Sequence, residues 1–280
     1  MNGKKINIVA DSSSDVTALE GVAFEYAPLK IITSEKEYVD NESLDIEEMV
    51  GDLENYKGRS STSCPNADDW LNAFGDAERI FCVTITSNLS GCYNSAMSAK
   101  RIYEETYPDR RVFVLDSLST GPEMALAIDK LAELIEAGES FDAICDRIVE
   151  YNKKTGLLFM LKSMKNLANN GRVSPLVAKM AGLLGICVVG KASDEGTLEP
   201  LNKCRGEQKA IHTILSHMKE MGLSKGKVKI AHCLNEDAGK ALKELIQKEF
   251  AKVKVEIYRC RGLCSFYAEK GGLLVGFEKA

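Results

Sequence analysis

Four stretches of this chain crowd hydroxyls, glycine and carboxylates into turns that follow apolar runs. They are Asp11-Ser12-Ser13-Ser14-Asp15, Ser60-Ser61-Thr62-Ser63-Cys64-Pro65, Ser87-Asn88-Leu89-Ser90-Gly91 and Asp116-Ser117-Leu118-Ser119-Thr120-Gly121. Hydroxyls donate hydrogen bonds, and a turn that opens a helix aims free N–H groups outward at the positive end of its dipole. Such turns suit an anion. In the third stretch Ser90 is expected to cap the following helix, and Gly91 lets backbone approach closely. A strand-to-helix turn needs a cap and a glycine even when nothing binds, so one such turn decides little. Several gathered at the carboxyl ends of neighbouring strands suggest a polar pocket. Neither GxxxxGK[ST] nor GxGxxG occurs, which turns the reading away from nucleotide phosphates.

Nothing in the sequence nominates a base to turn these hydroxyls into nucleophiles. The histidines are His212, His217 and His232; the first two lie five apart on an expected helix and diverge, and no serine sits in G-x-S-x-G. Thr62, Ser63 and Ser90 are therefore read as donors. Arg172 and Arg205 are candidates for added positive potential, or for surface ion pairs. Two rival readings stay open at this point. One is an enzyme acting on a small acidic or phosphorylated metabolite at the same loops. The other is a redox or zinc module at Cys260-x-x-x-Cys264, with His232-Cys233 upstream, although no second paired spacing supports a zinc site. Most of the nine cysteines fall inside apolar runs, as buried thiols in a reducing compartment would.

The elements that must carry the loops alternate. Ile80 to Thr86 has the composition of a buried strand, and Tyr93, Ala96, Met97 and Lys100 fall at helical spacing behind it. Ile6 to Ala10, Phe24 to Ile32, Glu37 to Val39 and Arg111 to Leu115 read as further extended pieces. Helices are expected over 46–53, entered through Ser43 or Asp45, and from Pro65 with Trp70, Leu71 and Phe74 on one face. Two more run over 123–137, stopped by Gly138, and 141–151, ended by Gly156. This is the pattern of a parallel sheet covered on both faces. The second half reads as a mixed sheet: strands at 157–161, 186–190, 198–204, 228–232, 253–259 and 273–277, with helices over 207–221 and 237–250. Asp194-Glu195-Gly196 marks a hairpin, Asn169-Asn170-Gly171 a tight turn, and Ser174-Pro175 opens a helix to Leu184 rich in Ala178, Met180, Ala181 and Gly182. The expected fold is α/β in two domains, residues 1–156 and 157–280, the first a parallel-sheet αβα sandwich, the second a mixed-sheet α/β domain.

The chain has 280 residues, 45% of them apolar, and a net charge of −5. That length exceeds one ordinary core. The charge, with Lys and Arg spread along the chain, argues against a nucleic-acid surface. No apolar run is long enough to span a bilayer, and Met1-Asn2-Gly3-Lys4-Lys5 leads into a strand rather than a signal-peptide core, so a soluble cytoplasmic protein is expected, with at most transient membrane contact.

Seven motifs in order make the whole chain resemble the DegV family of fatty-acid-binding proteins. They are Asp11-Ser12, Thr62-Ser63-Cys64-Pro65 for T-S-x-P, Leu89-Ser90-Gly91-Cys92-Tyr93 for L-S-G-T-Y, Asp116-Ser117, Gly171-Arg172-Val173-Ser174 for G-R-I-S, Asp194-Glu195-Gly196 and Arg205-Gly206. The resemblance implies a long-chain fatty acid held between the two domains, its carboxylate on Ser and Thr hydroxyls and its tail in an apolar tunnel. It implies a lipid-binding protein rather than an enzyme, with no cofactor or metal, and a fatty acid kinase as partner. The ligand-binding residues so implied are Thr62, Ser63, Ser90, Gly91, Ser117, Arg172 and Tyr267. Tyr267 stands where the family's H-x-G-P-G has its histidine, and Cys187 and Val188 replace the usual lysine and proline. These departures lead to the expectation that fatty acid is held but poorly presented for phosphoryl transfer.

Overall fold

The structure, a computed structural model, describes residues 4–181 and 183–280. In chain order the first half forms β1 (Ile6–Asp11), β2 (Phe24–Ala27), β3 (Lys30–Ile32), β4 (Glu37–Val39), α1 (Ile46–Asn55), β5 (Ser61–Ser63) and α2 (Ala67–Phe74). Then come β6 (Arg79–Thr84), α3 (Cys92–Thr106), β7 (Arg111–Asp116), α4 (Gly121–Glu136) and α5 (Phe141–Asn152). The second half continues with β8 (Thr155–Leu161), α6 (Lys165–Asn169), α7 (Pro175–Ala178), β9 (Ile186–Ala192), β10 (Leu198–Arg205) and α8 (Glu207–Glu220). It ends with β11 (Gly226–His232), α9 (Glu236–Glu249), β12 (Val253–Arg259), α10 (Gly262–Ala268) and β13 (Leu273–Glu278).

Among the described residues three sheets result. The first is wholly parallel, in the order β2-β1-β6-β7. The second is mixed, β10-β9-β8-β13-β11-β12, antiparallel except where β11 meets β12. A small antiparallel sheet, β4-β3-β5, stands beside them. The α/β class with a parallel and a mixed sheet agrees with the sequence reading. Between the two large sheets lies α4, which packs on β1 and β6 and also on β8, β11 and β13. Two covered sides explain why its residues 121–128 are all buried. The contact is close enough that a side chain on Gly276 of β13 would stand 2.5 Å from the carbonyl carbon of Pro122. Glycine is what lets strand and helix meet there.

Several local expectations are corrected. The buried stripe of α3 is Cys92, Ala96, Ala99 and Tyr103, while Met97 is 37% exposed; the helix is turned from the Tyr93 stripe because small residues let it sit close to the sheet. Gly91, not Ser90, is its N-cap, without a side-chain cap bond. Pro65 precedes α2, which Asn66 caps in a reciprocal box with Asp69. The run Phe24 to Ile32 splits at Pro28, which has no N–H to donate, into strands of different sheets. Gly156 lies inside β8, tight against Phe277, rather than ending α5. The helix from Pro175 is capped by Ser174 as expected but runs only to Ala178; Gly182 lies outside the described residues. Helices α6 and α10 were not anticipated.

Candidate functional site

An apolar cleft runs between the parallel and the mixed sheet. Alternation in a strand puts every second side chain on one face. Leu157, Phe159 and Leu161 of β8 thus line one wall, with Leu274 of β13 beside them. The opposite wall comes from loops at the carboxyl ends of the parallel strands: Ile85, Thr86, Leu89 and Ser90 after β6, and Leu118, Ser119 and Thr120 after β7. Leu263, Cys264, Tyr267 and Ala268, which share a face of α10, close a third side. Thr62 of β5 and Arg172, just past α6, complete one end.

That end is polar. Thr62 Oγ1 and Tyr267 OH lie 2.8 Å apart. Burial pushes the Tyr267 phenol up from its ordinary value, opposed in part by Thr62 and Arg172, so it stays a neutral donor at neutral pH. Arg172 donates from Nε to the carbonyl of Leu89 at 3.2 Å and from Nη1 to the carbonyl of Asn170. These bonds fix the guanidinium with its carbon 6.0 Å from the centre of the Tyr267 ring. Among the described residues Arg172 is the only Lys, Arg, His, Asp or Glu on the cleft wall. A single fixed cation beside hydroxyl donors, at the end of a mostly apolar cleft, matches one anionic group on an apolar body.

Of the seven residues taken from the sequence, the structure brings four to this wall: Thr62, Ser90, Arg172 and Tyr267. Three stand behind it. Ser63 donates to the carbonyl of its neighbour Cys64 at 3.2 Å. A side chain on Gly91 would lie 3.1 Å from Cys64 Sγ, so that glycine answers to a close protein contact. Ser117 is buried, with its Oγ bonded to both the carbonyl and the N–H of Ser119, and shapes the loop. Arg205 is exposed on the edge strand β10.

The acidic members of the loops hold backbone. Asp11 accepts from the N–H groups of Ile85 at 2.8 Å and Ser13 at 3.1 Å, and burial raises its carboxyl to about 6 despite these bonds. Asp116 accepts from the N–H groups of Ser87 and Leu118. Sequence reasoning missed α10 and its anchor Asp40, whose carboxylate accepts from the N–H groups of Gly262 at 2.8 Å and Leu263 at 2.9 Å. Its signal was weak, since cap and helix are more than two hundred residues apart in the chain. Cys264 lines the cleft and Cys260 is buried, and all nine thiols are free. Among the described residues no three His, Cys, Asp or Glu side chains converge as a metal would require, and no helix is long and apolar enough to cross a membrane.

A family model described as "Uncharacterised protein, DegV family" matches residues 5–279. A DegV domain-containing protein of Streptococcus pneumoniae is 43% identical over 275 residues, covering 97% of this chain and 98% of its own length. Among solved structures, a DegV family protein from Eubacterium eligens loaded with heptadecanoic acid superposes with a TM-score of 0.97 at 44% identity, covering 98% of this chain and all of its own. The Fatty Acid Kinase (Fak) B3 protein of Streptococcus pneumoniae loaded with linoleic acid gives 0.96 at 42% identity, covering 99% of this chain and all of its own.

Proposed function

The chain belongs to the DegV family, and from that premise we propose that it binds one long-chain fatty acid, with the carboxylate at Thr62, Ser90, Arg172 and Tyr267 and the acyl tail along Leu161, Phe159 and Leu157. Ser63, Gly91 and Ser117 then act through the loops they hold. Residues 1–156 supply hydroxyls and residues 157–280 the facing wall. The observation that carries the reading is the cleft's chemistry: apolar depth behind Ser90, with one cation and two hydroxyls at Thr62 and Tyr267 gathered at one end. An enzyme for a small acidic metabolite would need polar groups converging throughout, and its base; among the described residues no histidine reaches the wall.

The energetics favour the same assignment. Each buried methylene contributes about 0.8 kcal/mol, so fifteen gross about 12 kcal/mol before the entropy of association. The tail supplies affinity, and the head needs only enough donors to offset desolvation of its charge. Native mass spectrometry of the protein purified from bacterial cells is expected to show an acyl-chain adduct. A bare polypeptide mass that also fails to take up oleate or palmitate would overturn the proposal. Thr62→Ala and Ser90→Ala are each expected to weaken binding by about 1 to 3 kcal/mol, the loss of a hydrogen bond to a charged group, with little change in melting temperature. Equal affinity in wild type and the double variant would put the head group elsewhere.

The Fak B3 protein of Streptococcus pneumoniae, itself a fatty acid kinase component, supports the view that this chain carries its ligand to a kinase rather than catalysing a reaction alone. Phosphoryl transfer depends on positioning and electrostatic stabilisation, and a phenol in place of an imidazole changes both. Tyr267→His is expected to raise acyl-phosphate formation by a fatty acid kinase with ATP and loaded protein. Turnover that the histidine leaves unchanged or lowers would show that tyrosine already orients the acid.

A further inference from the structure

Behind the cleft lies a second cavity of opposite character, lined by Glu123, Asn152, Lys153, Lys191, Ser193 and Lys279. Among the described residues only Leu118, Leu157 and Ala192 line both. The direction of the cleft follows from β8. From Leu161, next to the segment that carries α6 and Arg172, the inward face passes through Phe159 to Leu157, roughly 13 Å at about 3.3 Å per residue. Leu157 stands four residues along β8 from that end, and Leu118 lines both cavities with it.

Leu118 has a backbone conformation that argues for a task. Its φ is +54°, a left-handed conformation in which leucine is strained and glycine is at ease. The backbone is held there: its N–H donates to Asp116 Oδ1 at 3.1 Å, and a side chain on Gly196 would meet its Cα at 2.9 Å and its carbonyl oxygen at 3.0 Å. The turn alone would be better served by glycine. The side chain that is kept despite the strain is, among the described residues, one of three that separate an apolar cleft from a polar chamber lined by lysines and carboxylates. Ala192 offers only a methyl group, and Leu157 belongs to the buried strand.

We infer that Leu118 is the partition that ends the acyl tunnel, so that it sets the chain length the protein accepts and restricts it to acids whose far end is a plain hydrocarbon. This rests on the fatty-acid reading above. A charged far end would meet three apolar side chains at the partition, where the nearby hydroxyls of Thr86, Ser119 and Thr197 supply no opposite charge. With the partition removed, the tail gains the volume of the leucine side chain, and beyond it the polar chamber, whose lining carries Lys153, Lys191 and Lys279 together with Glu123 and Asp194.

The test is competition among hexadecanoic, eicosanoic and docosanoic acids, with docosanedioic acid in a separate sample, on delipidated wild type, Leu118→Gly and Leu118→Ala, read by native mass spectrometry. Glycine relieves the strained φ, so Leu118→Gly is expected to fold, and Leu118→Ala gives a second opening that keeps a Cβ. Occupancy by docosanoic relative to hexadecanoic acid is expected to rise about tenfold in Leu118→Gly, the worth of two more buried methylenes. Docosanedioic acid is expected to bind Leu118→Gly and not wild type. The same ranking of acids in all three proteins overturns the partition while leaving fatty-acid binding intact. Wild type that takes up none of the acids overturns the binding reading and the partition with it.

Discussion

Asp40→Ala is expected to lower the stability of the fold by about 3 to 5 kcal/mol, the sum of the unpaired groups it leaves behind. Asp40 follows β4 and is fully buried, yet it is the anchor for α10 at the other end of the chain. Two backbone N–H groups of Gly262 and Leu263 lose their only acceptors, and the guanidinium of Arg261, whose Nε stands 3.7 Å from Asp40 Oδ1, loses its carboxylate. Set against a typical total of about 5 to 15 kcal/mol, the loss is a large fraction. It also reaches the site, because α10 carries Leu263, Cys264, Tyr267 and Ala268 to the cleft wall. Thermal unfolding with and without added fatty acid measures both consequences. Asp40→Asn keeps one acceptor oxygen and should lose less. An unchanged melting temperature in Asp40→Ala would mean that α10 is held by its apolar face alone.

How much of this was legible in the sequence follows from the range of the forces involved. Strands, most helices and the Ser174 cap were readable because periodicity and capping act over a few residues. The rotation of α3 was not, since Ala96 and Ala99 are silent in an apolar count but decide how close a helix sits to a sheet. The resemblance named Thr62, Ser90, Arg172 and Tyr267, which line the cleft, whereas bottom-up reading reached only the two hydroxyls among them and offered Arg172 and Arg205 equally. It also gave Ser63 and Ser117, whose hydroxyls turn to neighbouring backbone; which way a loop serine points depends on local hydrogen bonds that composition does not encode. The helix α10 was missed because its start is fixed by Asp40, a partner 222 residues away in sequence, and its own residues, from Gly262 to Ala268, make a run too short for a period to emerge.

The largest effect on binding is expected at Arg172. Every other group that the cleft offers a carboxylate is a neutral donor, so Arg172→Ala leaves a buried anion whose charge nothing offsets. Removing one partner of a buried ion pair costs about 3 to 5 kcal/mol, which corresponds to a loss of affinity of roughly two to four orders of magnitude at neutral pH. Lysine should rescue only in part, because Arg172 also donates to the carbonyls of Leu89 and Asn170, and an ammonium cannot hold both while facing the ligand. Those two bonds raise the alternative that alanine merely loosens the Leu89 loop, and pH separates the causes. If charge is what is lost, the variant can still bind the protonated acid, whose folded-state pKa is raised by burial. Its affinity should then rise as pH falls toward the ordinary carboxylic acid value, near 4 to 5, and decline by up to about tenfold per unit above it. Wild type, which binds the carboxylate itself, should stay nearly level over the same range. Titration of delipidated protein with palmitate between about pH 5 and 8 makes the comparison. Parallel, flat profiles offset by a constant factor would assign the loss to the loop, and equal affinity would remove Arg172 from the head-group site.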